Sequence, residues 1–272
     1  MEYVLSNFMT DIEKRNNVSI VGSGIKTMVL AHGYGCDKQV WSEISAAFEK
    51  DYRIVTFDYV GAGGSDLDAY NSERYSTLDG YAKDILDIYQ ALGLKDTIFV
   101  GHSVSSMIGL LAANQHPAYF EKLIFLGPSP RYLNDEGYHG GFELPDLEDL
   151  FEMMDNNYLG WSKALAPAFM GNPDRPELGE RLTNNFCATD PNIAREFART
   201  TFLSDNRQDL KNLTIPSLTL QCTSDIVAPM EVGQYIHEHV KDNTLIILEA
   251  TGHCPHMSAP EETIKAMKAY LN

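Results

Sequence analysis

Basic residues are scarce in this chain: 21 Lys and Arg stand against 38 Asp and Glu, a formal net charge of −17. Binding a phosphate backbone needs clustered cations that displace counterions, and no such cluster occurs, which excludes nucleic acid as a partner. The same deficit excludes docking on an anionic membrane surface. Long apolar runs are missing too. None approaches the roughly 18 residues of a membrane span. The first stretch, "MEYVLSNFMTDIEKRNN", carries Glu2, Asp11 and Glu13 where a secretion signal would be apolar. A cytoplasmic protein with no membrane attachment is therefore expected. The four cysteines, Cys36, Cys187, Cys222 and Cys254, include no Cys-x-x-Cys pair, which argues against zinc and reads as reduced packing thiols. The glycine-rich "DYVGAGGSD" (58–66) lacks both the Lys-Ser/Thr of a phosphate loop and the glycine spacing of a dinucleotide fold. It reads as a tight backbone loop, and no nucleotide, metal or other cofactor is expected.

What is present is a repeated alternation. The runs at 27–33, 53–59, 97–103, 122–128, 217–222 and 244–250 are short, rich in β-branched residues and almost continuously apolar. That is the signature of parallel strands covered on both faces. Helical periodicity lies between and after them, at 38–49, 76–92, 104–115, 230–240 and 260–271. Strand followed by helix, repeated, predicts an α/β protein with a mostly parallel, doubly wound sheet. One interval, 131–211, carries no strand signal but does show helical periodicity, with "NPDRPELG" and "ATDPNI" as turns and Asp174 and Asp190 as candidate helix caps. The expected organisation is a core from 1–130, a helical lid inserted at 131–211, and the rest of the core at 212–272. Trp161, Phe169, Phe186 and Phe202 would form the lid's own core, with some facing down as an apolar ceiling.

Function in such sheets collects in the loops at the carboxyl ends of the strands. Ser103 follows the third run in "IFVGHSVSSMIG" (98–109), where a tight strand-to-helix turn would expose its hydroxyl. A serine here also suits a helix cap. As a nucleophile it needs an adjacent base, and His253, just after the last strand and Gly252, is the candidate. His256 competes with it, but already heads into the final helix. Asp225 in "TSDIVAP" (223–229) is the candidate to orient the imidazole, although aspartate also caps turns. The chain order Ser, Asp, His, each at a strand end, is that of the α/β-hydrolases. Two N–H groups must receive a developing oxyanion, and Val104 and Tyr34 of "HGYG" (32–35) are the candidates. His237 and His239 read as a solvated helix face.

Together "GSGIKTMVLAHGYGCDKQVW", "DYVGAGGSD", "RYSTLDGYAKDI", "FVGHSVSSMIG", "GPSPRYLND", "GGFE" and "GHCPHMS" resemble one α/β-hydrolase subgroup. It comprises the bacterial hydrolase that activates a stress phosphatase and the plant karrikin and strigolactone receptors. The resemblance implies an α/β-hydrolase fold with a four-helix lid over an apolar pocket, Ser103, Asp225 and His253 as a catalytic triad, and Tyr34 and Val104 as oxyanion donors. It implies Tyr132, Phe142 and Phe202 as pocket-lining aromatics, and His102 is assigned to the same pocket. Leu165 stands where some plant relatives carry an aromatic, so this pocket is reshaped relative to theirs. The function implied is hydrolysis of a small hydrophobic ester or lactone through an acyl-enzyme. The alternative is a ligand sensor acting on a partner phosphatase, with slow or vestigial hydrolysis.

The elbow's usual second glycine is replaced by Ser105. That position lets the helix pack close to its strands, and Gly109, one turn along the same face, preserves the approach. Ser105→Ala is expected to be tolerated, whereas Ser105→Leu should distort the turn and abolish ester hydrolysis without touching the triad. Full activity in the leucine variant would refute the packing argument.

Overall fold

In the computed structural model, which describes residues 11–272, the six apolar runs lie side by side as parallel strands. They are β2 (Lys26–Ala31), β3 (Tyr52–Phe57), β4 (Thr97–His102), β5 (Phe120–Leu126), β6 (Ser217–Ser224) and β7 (Asn243–Thr251). The sequence reading anticipated all six but not β1 (Ser19–Val21), a short, mostly exposed strand that pairs antiparallel with β3 at the sheet edge. The order β1-β3-β2-β4-β5-β6-β7 places β4 centrally, between β2 and β5. β4 is buried at every position, as continuous apolarity requires of a strand covered on both faces. Residues 1–10, the start of the stretch read above for a secretion signal, lie outside the described residues. Among the described residues no helix is long and apolar enough to cross a membrane.

The core helices are α1 (Ser42–Phe48), α2 (Leu78–Leu92), α3 (Val104–Gln115), α8 (Met230–His239), α9 (Pro255–Ser258) and α10 (Pro260–Leu271). α3 is buried from Val104 through Ala113, which explains why its sequence is apolar all round instead of striped. It lies close on β4: a Cβ at Gly109 would stand 2.2 Å from the Phe99 ring, and one at Gly101 2.5 Å from Ser105 O.

Between β5 and β6 come α4 (Leu144–Asn156), α5 (Tyr158–Met170), α6 (Pro176–Ala188) and α7 (Pro191–Phe202). These helices occupy the interval that lacked strand signal. Asp190 caps α7, its Oδ1 accepting the N–H groups of Asn192 and Ile193. Asp174 does not cap α6. Arg175 holds the cap position with Pro176 at the first turn, where a missing N–H costs nothing. The two necks of the insertion are stitched together: Arg131 pairs with Asp205 at 2.8 Å, and Arg207 reaches both Asp205 and Asp135.

The glycines of 58–66 have a local cause. Asp58 Oδ2 accepts Gly64 N–H at 2.9 Å and its Oδ1 accepts Lys38 N–H at 2.7 Å. Gly63, at φ +52°, sits so close that a Cβ would be 2.4 Å from the Asp58 carboxylate. The loop wraps a side chain of its own protein.

Candidate active site

β4 ends one residue before Ser103, and α3 begins one residue after it. With no room for a longer turn, Ser103 takes φ +56°, ψ −125°, a conformation a non-glycine residue keeps only where the surroundings over-determine it. Its N–H is held by Leu126 O on β5 at 2.8 Å. The side chain stands above the strand ends, only 4% exposed.

His253 and Asp225 converge there from the loops after β7 and β6. Asp225 Oδ2 accepts His253 Nδ1–H at 2.6 Å, and Ser103 Oγ lies 2.7 Å from His253 Nε2. With the Nδ1 proton committed to a carboxylate, Nε2 presents its lone pair to the serine O–H. The other Asp225 oxygen accepts the N–H groups of Val227 at 2.8 Å and Ala228 at 3.1 Å, so the carboxylate is fixed at both ends. Among the described residues neither Tyr34 N–H nor Val104 N–H has an acceptor in the protein. The Tyr34 side chain serves elsewhere: its hydroxyl donates to Ala194 O on α7, and Phe186, Phe197 and Phe202 stand edge-on around its ring. The adjacent Gly35, at φ +69°, leaves space for the Phe186 ring, which a Cβ would meet at 2.2 Å.

The other histidines near the elbow are committed differently. His102 Nε2–H donates to His253 O at 2.7 Å, and its Nδ1 has no partner among the described residues. His256, the competing base, is fully buried between Trp41 and His102, with ring centroids 4.6 and 4.4 Å away, and neither of its nitrogens has a partner among the described residues. Burial, reinforced by His253 and Arg181, lowers its pKa to about 3. Burial also lowers the pKa values of His102 and His32. His237 and His239 are exposed.

A cavity of about 20 Å³ lies over Ser103, room for roughly one water. His102, Phe169, Phe186 and Phe202 line it, together with Leu182, Thr201, Val227, Cys36 and Cys254, which the sequence did not single out. Trp161 stacks behind Phe186. Tyr132 places its hydroxyl 3.4 Å from Ser103 Oγ. Phe142 stands one ring back, edge-on to Phe202, and Leu165 is half-buried against the core; neither belongs to the lining. Burial pushes the Cys36 thiol up to about 12 and Cys254 above its usual range, so both are neutral apolar wall. Adjacency to His253 and to Asp225 was the available signal for Cys254 and Val227. Leu182 and Thr201 had none.

Ser105 corrects an expectation. Its hydroxyl donates to His32 O and bonds the Tyr59 hydroxyl at 2.8 Å, all of it buried. The serine ties the elbow to two neighbouring loops, and alanine would strand the buried Tyr59 hydroxyl.

A mostly parallel sheet that brings a buried serine, an imidazole and a carboxylate together at the carboxyl ends of its strands has the layout of a hydrolase fold. The chain belongs to the alpha/beta hydrolase family, whose model matches residues 28–266. It is 39% identical over 256 residues to the strigolactone esterase D14 of Arabidopsis thaliana, covering 94% of this chain and 96% of that one. It is 37% identical over 265 residues to the karrikin insensitive 2 receptor IA of Petunia hybrida, covering 97% of each. A hydrolase from Oleispira antarctica superposes with a TM-score of 0.94 at 41% identity over 96% of both chains.

Two outcomes test this description. Ser105→Ala should cost about 1–3 kcal/mol, the usual effect of stranding a buried polar group, read from denaturant midpoints; an unchanged midpoint would return the serine to a mere spacer. His256 stays neutral when folded down to about pH 3, whereas the unfolded chain protonates it near pH 6.5. The unfolded state therefore binds more protons across that window, and stability falls as pH drops through it. His256→Phe should flatten the fall between pH 7 and pH 5, and equal slopes in the two proteins would contradict the assignment.

Proposed function

We propose that this protein is a serine hydrolase that cleaves small hydrophobic esters or lactones through an acyl-enzyme. The observation that carries the reading is the unbroken line of hydrogen bonds from Asp225 through His253 to Ser103. His253 Nε2 takes the serine proton as Oγ attacks the carbonyl carbon, and Asp225 stabilises the imidazolium that results. The oxyanion is received by the free N–H groups of Tyr34 and Val104. Collapse breaks the ester C–O bond as the imidazolium returns its proton to the leaving alcohol. Water, activated by the same imidazole, then releases the acid and restores Ser103. In this reading α4–α7 act as a lid whose aromatic underside excludes bulk water. The names esterase and hydrolase among its relatives support the ester class.

A second reading, a ligand sensor that acts on a partner phosphatase and hydrolyses slowly, draws on the likeness to a karrikin insensitive receptor and on the small size of the cavity. It requires saturable phosphatase binding by the free or acylated protein, and titration showing no binding by either form would remove it.

An active-site-directed phosphonate should label the native protein and fail on Ser103→Ala. Because the cavity over Ser103 is small and walled by Phe169, Phe186 and Phe202, kcat/KM should fall steadily from acetyl to hexanoyl esters. Labelling or turnover that survives Ser103→Ala would sink the nucleophile assignment, and a preference for the long acyl chains would sink the small-substrate reading.

A further inference from the structure

The insertion touches the loop of the base at a place the proposed chemistry does not use. α5 ends at Met170, and the turn 171–175 lies against residues 251–258, the segment that carries His253. Phe169 O accepts the His253 N–H at 2.8 Å. Asn172 sits at φ +57°, a left-handed conformation that asparagine tolerates better than most residues. From there its Nδ2 donates to both Met170 O and Thr251 O at 3.0 Å. Its Oδ1 accepts Arg175 Nη2–H at 2.6 Å, while Arg175 Nη1–H donates to Ser258 O at 2.7 Å. Asn172 thus holds the carbonyl at one end of the segment, and Arg175 holds the carbonyl at the other. The backbones meet in between because both partners are glycines: a Cβ on Gly252 would lie 1.9 Å from Met170 O, and one on Gly171 3.1 Å from Gly252 Cα.

We propose that Asn172 and Arg175 are positioning residues that bracket the His253 segment and make the placement of its imidazole depend on the insertion. The proposal rests on the reading of Ser103 and His253 as nucleophile and base. The bracket is chemically specific. A guanidinium fork can serve the Asn172 side chain and the Ser258 carbonyl at once, whereas an ammonium is a single point charge. It also matters to rate, because misplacing a reacting group by about 1 Å costs on the order of 10²-fold. A cleft of about 770 Å³ between α5 and α6 opens directly on both residues, so truncating either leaves no sealed void in the core.

The test uses the full chain with Asn172→Ala, Arg175→Ala, both together, and Arg175→Lys. The control is Lys163→Ala, an exposed position on α5 that lines the same cleft. For an acetyl ester, kcat should fall roughly 10- to 100-fold in each alanine variant, with KM within about threefold. The double variant should be no worse than the poorer single, as members of one network behave. Arg175→Lys should recover part of the loss, and Lys163→Ala should behave as the parent. An unchanged kcat, a loss confined to KM, additive losses, or an equal loss in the control would overturn the proposal. Amide hydrogen exchange at His253 supplies a readout that needs no turnover. It should accelerate in the alanine variants at parental thermal midpoints, and unchanged exchange would overturn the bracket even with Ser103 intact as nucleophile. If parental turnover instead survives Ser103→Ala, it is the nucleophile reading that fails, and the exchange data judge the bracket separately.

Discussion

The close crossing of α3 over β4 constrains everything around it. Gly101 and Gly109 leave no room for a Cβ against Ser105 O and the Phe99 ring, so the helix must begin within a residue of the strand's end. Ser103 absorbs the whole change of direction at φ +56°, ψ −125°. Backbone in such a region costs about 1–3 kcal/mol, and the burial of α3 from Val104 through Ala113 holds it there. The turn also lifts the serine hydroxyl above the strand ends and leaves the Val104 N–H beside it without an acceptor among the described residues.

The imidazole facing that serine is held by groups from both layers of the molecule. Asp225 holds its Nδ1, His102 donates to its backbone carbonyl, and Phe169, on the insertion, accepts its backbone N–H. One comes from the loop after β6, one from the last residue of β4 and one from α5. The neighbouring histidines differ from His253 by environment alone. His32, His102 and His256 are kept neutral by burial, while His253 alone faces both a carboxylate and a hydroxyl.

The insertion closes the site with rings. Tyr34 belongs to the core loop after β2, yet its hydroxyl and ring are engaged by α6 and α7. The side chain that secures the insertion and a free N–H at the mouth of the elbow therefore belong to one residue. What remains over Ser103 is a small, mostly apolar space, which suits chemistry on an uncharged carbonyl shielded from bulk water.

The sequence by itself determined the parallel core, because strands buried on both faces must be apolar throughout. It also singled out Ser103, Asp225 and His253, because these are chemically capable residues at the carboxyl ends of such strands. The absence of strand signal from 131 to 211 marked the helical insertion. β1 escaped because a strand of three mostly exposed residues has no pattern to detect. Asp174 was misread because the turn geometry at Pro176, not residue type, chose the cap. The tertiary structure alone decided what Ser105 does, since His32 lies 73 residues away and Tyr59 lies 46 away. It likewise set Phe142 and Leu165 back from the cavity and brought Leu182 and Thr201 forward. Periodicity says which face of a helix is apolar, but only packing against the sheet decides which of those apolar side chains meets the serine.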